Sequence, residues 1–351
     1  MLAPITHVLP LTSIRRQRLL PAPGRILVRK GQQVRAAEVV AEADLAPAHL
    51  LLDVARALGV TPQKVEQAMQ RQPGDRVSEG DLIAGPVGWP KRVVRATHSG
   101  EIILVRRGQV LIRLDSSPFQ LRAAFPGTVS ALIGDRGVEI ASSGALVQGV
   151  WGNGGLDYGL FRVLARKSED VMTADRLEID LRGSVVLAGF CSEQAVLQAA
   201  AELPLRGLVL ASMAASLIPF ATSLPFPVIV LEGFGLLPMN SAAFKLLTTN
   251  DRREIAVIAE PRQWYGHTRP EVFIPLPVAE APAEPREATL FTPDLRVRVV
   301  RAPFSSQVGT LIALQPEQEL FPSGIRAPAA SVRLENGSQV VLPLANLEVL
   351  E

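Results

Sequence analysis

Four apolar runs alternate with helix-like segments between residues 183 and 260, and this alternation restricts the possible folds more than any other feature. The runs are short and rich in Val, Ile and Leu, as expected of strands that are buried on both faces: 185–188, 208–211, 228–231 and 255–258. Strands separated by helices return parallel to one another through right-handed crossovers. The sequence therefore predicts a parallel α/β domain at residues 151–274.

The segments between these runs carry helix-start signals. Ser192 precedes a predicted helix at 193–203, and Asn240 or Ser241 precedes another at 242–247. Ser and Asn side chains cap helices because they accept hydrogen bonds from the free N–H groups of the first turn. A further helix is predicted around 214–223, between the second and third strands.

One uncharged stretch, 207–231, is long enough to cross a bilayer. Pro219, Pro225 and Pro227 interrupt it, and two buried strands joined by an apolar helix would give the same composition. We therefore expect no membrane association. The single cysteine, Cys191, excludes an intramolecular disulfide framework and favours a cytoplasmic location.

The N-terminal region contains a near-repeat. Residues 31–41 and 74–84 share the pattern Gly-x-x-Val-x-x-x-x-apolar-apolar-Ala at an offset of 43 residues. Each copy predicts a turn followed by a short strand. A helical insertion is expected between the copies, near 45–72, with Thr61 and Pro62 at a helix start.

Residues 22–145 resemble the barrel-sandwich hybrid fold of biotinyl and lipoyl carrier domains. The segment 73–84, Pro-Gly-Asp-Arg-Val-Ser-Glu-Gly-Asp-Leu-Ile-Ala, is the most typical part, and hairpins beginning at Gly100 and Gly127 add to the likeness. The resemblance implies a β domain over 1–150. A carrier would need a lysine at a hairpin tip. Lys91 is the nearest candidate, but it lacks the Met-Lys-Met or Asp-Lys-Ala context, so we expect a scaffold and no cofactor.

A Pro-, Ala- and Glu-rich stretch at 275–287 is typical of a linker. The following segment, 288–351, shows short strands and an Asn336-Gly337 pair that is a strong hairpin-turn signal. It resembles a KOW-type SH3-like barrel, as found in ribosomal proteins and transcription-elongation factors, in its residues 297–304, 309–312 and 340–350. The whole chain is therefore expected to be multi-domain, combining α/β and all-β parts.

The charge distribution bears on the partners. Residues 1–120 carry 17 Lys and Arg against 10 Asp and Glu, a net charge of +7, whereas 288–351 carry a net charge of −1. Such barrels often contact RNA through basic or glycine residues where this chain has Ser305, Ser306 and Gln307. Little counterion release is available there, so nucleic-acid binding is weakly supported and a protein partner is favoured. The oligomeric state is left open.

In open parallel sheets, ligands bind beyond the carboxyl ends of the strands. The residues at those ends form the predicted ligand site: Gly189, Cys191, Ser192, Ser212, Glu232, Gly233 and Gly235. Glu232 is a general base, a carboxylate exposed at the edge of the sheet, or a carboxylate satisfied by nearby N–H groups. Cys191 is either a thiolate activated by a helix N-terminus or a buried apolar residue.

The remaining motifs are incomplete. The glycine-rich stretch 149–155 fits neither the dinucleotide fingerprint nor the P-loop. The four histidines, at positions 7, 49, 98 and 267, show no metal-ligand spacing, and Trp264 to His267 form either a binding loop or a docking patch. No catalytic or metal-ligating residue is therefore assigned. The sequence predicts a non-enzymatic scaffold or interaction protein of a cytosolic assembly. The resemblance to KOW barrels implies that this assembly serves transcription or translation. The alternative is a small-molecule-binding or transferase-type protein that uses the strand ends.

Overall fold

The computed structural model describes residues 2–115, 117–261, 269–278, 280–286 and 288–351. Strands make up 46% of the chain and helices 14%, so the protein is mostly β and is built from several sheets. The Trp264 to His267 loop lies outside the described residues, so its interpretation stays a prediction.

The first 150 residues form fourteen strands and two short helices. The strands are β1 (Leu2–Thr6), β2 (Val8–Leu19), β3 (Arg25–Ile26), β4 (Gln33–Val34), β5 (Val39–Ala43), β6 (His49–Asp53), β7 (Arg76–Val77), β8 (Leu82–Val87), β9 (Arg92–Arg95), β10 (Gly100–Arg106), β11 (Gln109–Leu114), β12 (Phe119–Arg122), β13 (Gly127–Ile133) and β14 (Gly137–Gln148). The helices are α1 (Val54–Leu58) and α2 (Pro62–Ala68).

One compact β unit is inserted into another. The unit at 44–118 contains β6 to β11 and both helices, and it has its own core of buried side chains drawn from residues 54–112. Strands β5 and β12 flank it and pair antiparallel, with Ala43 opposite Phe119. The insertion is therefore larger than the helical segment expected at 45–72. We call residues 44–118 the inserted module.

The sequence repeat corresponds to a structural repeat. The Gly31 N–H donates to the Val129 carbonyl at 2.8 Å, and the equivalent Gly74 N–H donates to the Ile102 carbonyl at 2.7 Å. Accordingly β4 pairs with β13 in the outer unit, while β7 pairs with β10 in the inserted module. The repeat therefore has the same backbone pairing in each unit.

Close backbone contact explains the glycine that begins the strand paired with each copy of the repeat. A Cβ on Gly100 would lie 2.3 Å from the Arg113 carbonyl oxygen, and a Cβ on Gly127 would lie 2.4 Å from the Ala141 carbonyl oxygen. No side chain fits such a gap without displacing the neighbouring backbone.

The described residues of the middle region form seven strands and three helices. The strands are β15 (Trp151–Gly152), β16 (Leu156–Val163), β17 (Ser184–Cys191), β18 (Gly207–Met213), β19 (Val228–Phe234), β20 (Glu254–Ile258) and β21 (Glu271–Pro275). The helices are α3 (Gln194–Glu202), α4 (Ile218–Thr222) and α5 (Ser241–Thr248), with 3₁₀ turns at Ala174–Arg176, Ile179–Leu181 and Ala215–Leu217.

Four neighbouring strands, β16 to β19, pair in parallel, and the alternation predicts three of them, β17 to β19. The expectation that all strands share one direction is wrong, because β20 pairs antiparallel with β16 and β15 pairs antiparallel with β19. The sheet continues through β21, β14, β13 and β4, with β2 also paired to β14. It therefore crosses the expected boundary at residue 150.

Helix packing follows the alternation of strand side chains. Helices α3 and α4 cover one face, where Val186 and Leu208 lie, and α5 lies on the other with Val185 and Val209. The Asn240 side chain caps α5 by accepting from the Ala243 N–H, as predicted. By contrast, α3 begins one residue later than expected, so Glu193, and not Ser192, stands at its N-cap.

The C-terminal region contains eight strands and a 3₁₀ turn at Leu344–Asn346. The strands are β22 (Ala288–Leu290), β23 (Arg296–Val299), β24 (Val308–Leu314), β25 (Glu319–Leu320), β26 (Arg326–Ala327), β27 (Ala329–Leu334), β28 (Gln339–Pro343) and β29 (Leu347–Leu350). A seven-stranded sheet has the order β22-β1-β29-β23-β24-β27-β28, and β25 pairs with β26 as a separate hairpin.

The first strand of the chain belongs to this C-terminal sheet. Strand β1 pairs parallel with β29 and antiparallel with β22, and its Ala3 and Ile5 side chains are buried in the C-terminal core. The expected division into 1–150 and 288–351 therefore does not match the sheet pairing at β1. The remaining domain boundaries stay a prediction about folding units.

The uncharged stretch 207–231 forms β18, a 3₁₀ turn, α4 and the first part of β19, in agreement with the strand–helix–strand expectation. Within the described ranges, no helix has the length and apolar character needed to cross a membrane.

Candidate functional site

The parallel strands bring the predicted site residues to one edge. Along β17, β18 and β19, Cys191 stands opposite Met213, and Ser212 stands opposite Gly233. The carboxyl ends of the strands therefore meet where a ligand site was expected. Whether a ligand can bind there depends on which of their polar groups are still available.

The Glu232 carboxylate is fully buried and both of its oxygens are engaged. One oxygen accepts from the backbone N–H of Asn240 at 2.8 Å and from its side-chain amide at 2.6 Å. The other accepts from Nη1 of Arg298 at 2.7 Å. Glu232 is thus satisfied by protein donors, as the third interpretation of this residue has it, and it is neither exposed nor available as a general base.

Arg298 comes from β23 of the C-terminal sheet and is 2% exposed. Its Nε donates to Glu348 at 2.6 Å, while Nη1 also reaches the Leu231 carbonyl at 3.4 Å. Burial alone lowers the pKa of the guanidinium, but attraction to Glu348 and Glu232 outweighs it and raises the pKa above the ordinary value. Arg298 therefore stays charged and holds two buried carboxylates from different parts of the chain.

The network extends to the first strand. Thr6 donates its hydroxyl to Glu348 at 3.0 Å and accepts from Nη1 of Arg269 at 2.6 Å. Arg269 also lies 3.9 Å from Glu348. Two arginines and two carboxylates thus neutralise one another where β19, β23, β29 and β1 meet. We call Glu232, Arg298, Glu348 and Arg269 the buried charge network.

Two further predicted residues at the edge, Cys191 and Ser212, are also buried. Burial raises the pKa of the Cys191 thiol to about 11, and its hydrogen bond to the Glu193 carbonyl is long, at 3.8 Å. Ser212 donates to the Leu237 carbonyl at 2.7 Å and accepts from the Leu237 N–H at 3.2 Å. Of the two interpretations of Cys191, the structure therefore supports the buried apolar residue. Ser212 holds the loop after β19 in place through its hydrogen bonds to Leu237.

The other predicted residues do not complete a pocket. A Cβ on Gly189 would lie 1.8 Å from the Asp170 carbonyl oxygen, because the 168–172 segment packs on that strand. Gly233 and Gly235 have φ values of 145° and 102°, which favour glycine in the turn that leaves β19. Ser192 is exposed on the surface. The predicted residues therefore lie together at the carboxyl ends of the strands, but there they serve packing and turn formation.

A cleft of about 1090 Å³ lies elsewhere, between strands β2, β4, β13 and β14 and the Pro-rich segment. Its charged groups include Arg15, which pairs with Glu284 at 2.7 Å, and Glu38, which accepts from the Arg35 N–H. The Arg15–Glu284 pair links the segment to β2. Within the described part of the chain, no group of three or more His, Cys, Asp or Glu side chains is arranged to hold a metal.

Lys91 lies in the turn between β8 and β9 and is exposed, as a hairpin-tip lysine must be. The adjacent Trp89 is 93% exposed. The position fits the resemblance to carrier domains, although the sequence context still lacks the flanking residues of a modified lysine.

Sequence reasoning missed Arg298 and Glu348. Both lie in strands of alternating polarity, where a charged residue between two aliphatic residues predicts a solvent-facing side chain. The pattern correctly predicts that these side chains point away from the core of their own sheet. In this molecule, however, another part of the chain covers that face of the sheet.

The chain matches no protein-family model, and no curated protein matches it.

Proposed function

We propose that the protein is a non-enzymatic scaffold whose modules are fixed to one another and present their outer surfaces to a protein partner. The observation that carries this proposal is the buried charge network. It covers the strand-end edge, the place where a parallel sheet would bind a ligand, with the C-terminal sheet of the same chain.

The fixed arrangement has an energetic basis. Breaking one partner of a buried ion pair leaves an uncompensated charge and costs about 3–5 kcal/mol. Val308 and Leu350 of the C-terminal sheet also lie in the core of the middle region. A rigid junction of this kind suits a scaffold, because it holds the outer surfaces at a constant distance and orientation.

The module identities belong to the same proposal. A KOW-like, SH3-like C-terminal barrel is supported by the consecutive antiparallel pairing of β23, β24, β27 and β28. A barrel-sandwich-hybrid-like N-terminal region is supported by the repeated pairing around Gly31 and Gly74. Attachment to a transcription or translation assembly in the cytoplasm would follow from the KOW resemblance.

The surface that we assign to the partner is the hairpin β25–β26. Leu320 and Ile325 are exposed there, on the C-terminal module. Ser306 is buried and Arg298 is held in the network, so neither is available to RNA at the loop that contacts RNA in barrels of this type. Apolar exposure on this hairpin, together with the net charge of −1 over residues 288–351, favours a protein partner over a nucleic acid.

Two measurements test the proposal. The tagged chain, expressed in its native host, should retain a partner that is lost from a Leu320→Ser/Ile325→Ser double variant and kept by the control Leu290→Ser, which changes a similarly exposed leucine. In parallel, a thermal-shift screen against nucleotides, coenzymes and amino acids should show no stabilisation. A ligand whose thermal shift disappears in Glu232→Gln, with the fold intact, would overturn the scaffold and support the small-molecule alternative.

A further inference from the structure

The outer face of the inserted module carries a row of three leucines. Leu104 of β10 stands opposite Leu111 of β11, and Leu111 stands opposite Leu51 of β6. Leu51 is 57% exposed and Leu104 is 49% exposed. The row runs across three strands and ends at β6, which is the edge of its four-stranded sheet within the described residues.

Alternate residues of β6 direct their backbone hydrogen-bonding groups away from the sheet. The Leu114 N–H donates to the Ala48 carbonyl at 2.9 Å. Because hydrogen-bonded and non-hydrogen-bonded pairs alternate along an antiparallel ladder, Leu50 and Leu52 also direct their backbone groups to β11. The N–H and C=O groups of residues 49 and 51 and the N–H of residue 53 then point away from the sheet, where they can pair with another strand. The carbonyl of Asp53 is used by the first turn of α1, because Asp53 is the N-cap of that helix.

Open edges of this kind are usually protected. Natural proteins place lysine, proline or a bulge on them, because an unprotected edge pairs with other chains. Strand β6 reads His-Leu-Leu-Leu-Asp and has none of these features within its five residues.

The strand is complementary to itself. When two copies of β6 pair antiparallel about Leu51, His49 of each copy stands opposite Asp53 of the other. The imidazole then lies beside a carboxylate at both ends, with only leucines between them. One oxygen of Asp53 already accepts from the Arg56 N–H, and the second is available to the imidazole.

We infer that the chain forms a homodimer through its β6 edge, a two-fold interface centred on Leu51. The two four-stranded sheets become one sheet of eight strands, and the leucine rows join into a row of six across the axis. This inference does not rest on the proposed function. A pair of five-residue strands gives a small interface, so dimers should form at protein concentrations on the order of 100 µM.

Sedimentation equilibrium of the full chain tests the stoichiometry. The wild type should change from monomer to dimer with increasing concentration. Leu51→Lys should stay monomeric because it places two ammonium groups on the axis, whereas the control Leu290→Lys, at a 58% exposed site, should still dimerise. A wild type that is monomeric at every concentration, or association that survives Leu51→Lys, would overturn the inference.

Charge variants test the pairing register. His49→Asp sets two carboxylates opposite each other and should weaken dimerisation at least tenfold, while His49→Lys should preserve it. Equal effects of the two substitutions would exclude the antiparallel register.

Cross-linking tests the axis directly. Leu51→Cys should be joined to its counterpart by a short bismaleimide, while buried Cys191 stays unmodified. Failure of Leu51→Cys to cross-link at concentrations where the dimer forms would place the interface elsewhere, as would equal cross-linking of Leu290→Cys.

Discussion

Arg298 provides the strongest test of how the modules are joined. Its guanidinium is buried between Glu232 and Glu348, at 2.7 and 2.6 Å. Arg298→Met keeps an unbranched stem for packing but removes the charge, and both carboxylates lose their cationic donor. Breaking a buried pair costs about 3–5 kcal/mol, against a total stability of about 5–15 kcal/mol for a typical domain. We therefore expect the variant to lose about a fifth or more of the free energy of unfolding.

Arg296→Met is the matched control. Arg296 lies two residues away on the same strand and pairs with Glu335 at 2.7 Å, but both side chains of this pair are about half exposed. Exposed pairs contribute about 0–1 kcal/mol because water screens the charges. Urea unfolding followed by circular dichroism should therefore show a small shift of the midpoint for Arg296→Met and a large shift for Arg298→Met.

A double variant separates the lost charge from lost packing. Combining Arg298→Met with Glu232→Gln removes one charge of each sign and leaves Glu348 beside Arg269, so the network stays neutral and most of the lost stability should return. The reasoning would be refuted if Arg298→Met were as stable as Arg296→Met, or if the double variant were no more stable than the single one.

Three further outcomes are expected. Cys191 should resist iodoacetamide at pH 8 until the protein unfolds. Because its pKa is raised from 9.0 to about 11, the stability it contributes is complete below pH 9 and falls by up to about 3 kcal/mol as the pH passes 11, which urea unfolding at several pH values would show. The fragment 288–351 should give a poorly dispersed amide NMR spectrum alone and a dispersed one when a Leu2–Thr6 peptide is added, and a well-folded fragment without the peptide would contradict the role of β1. When 44–118 is replaced with an Asn-Gly turn, the remaining chain should keep a folded far-ultraviolet circular dichroism spectrum and a cooperative thermal transition. Aggregation of this variant would show that the inserted module is needed for folding.

The candidate site shows where a sequence argument stops. The alternation of strands and helices correctly predicted that Cys191, Ser212 and Glu232 would meet at one edge, because parallel strands share an orientation. The same pattern gave no information about what covers that edge. A lone acid at the end of an apolar strand has the same local sequence whether it faces a ligand or an arginine 66 residues away.

The sequence by itself determined what depends on neighbouring residues. Glycines at the close contacts of the repeat, the Asn240 cap and the apolar strands of the parallel sheet follow from backbone sterics, local hydrogen bonding and side-chain period, which act over a few residues. Only the tertiary structure decided that β1 completes the C-terminal sheet, that 44–118 is a second unit with its own core, and that Arg298 reaches Glu232. These pairings join segments far apart in the chain, and their choice depends on which complementary surfaces can be buried together, a property that no local pattern of residues carries.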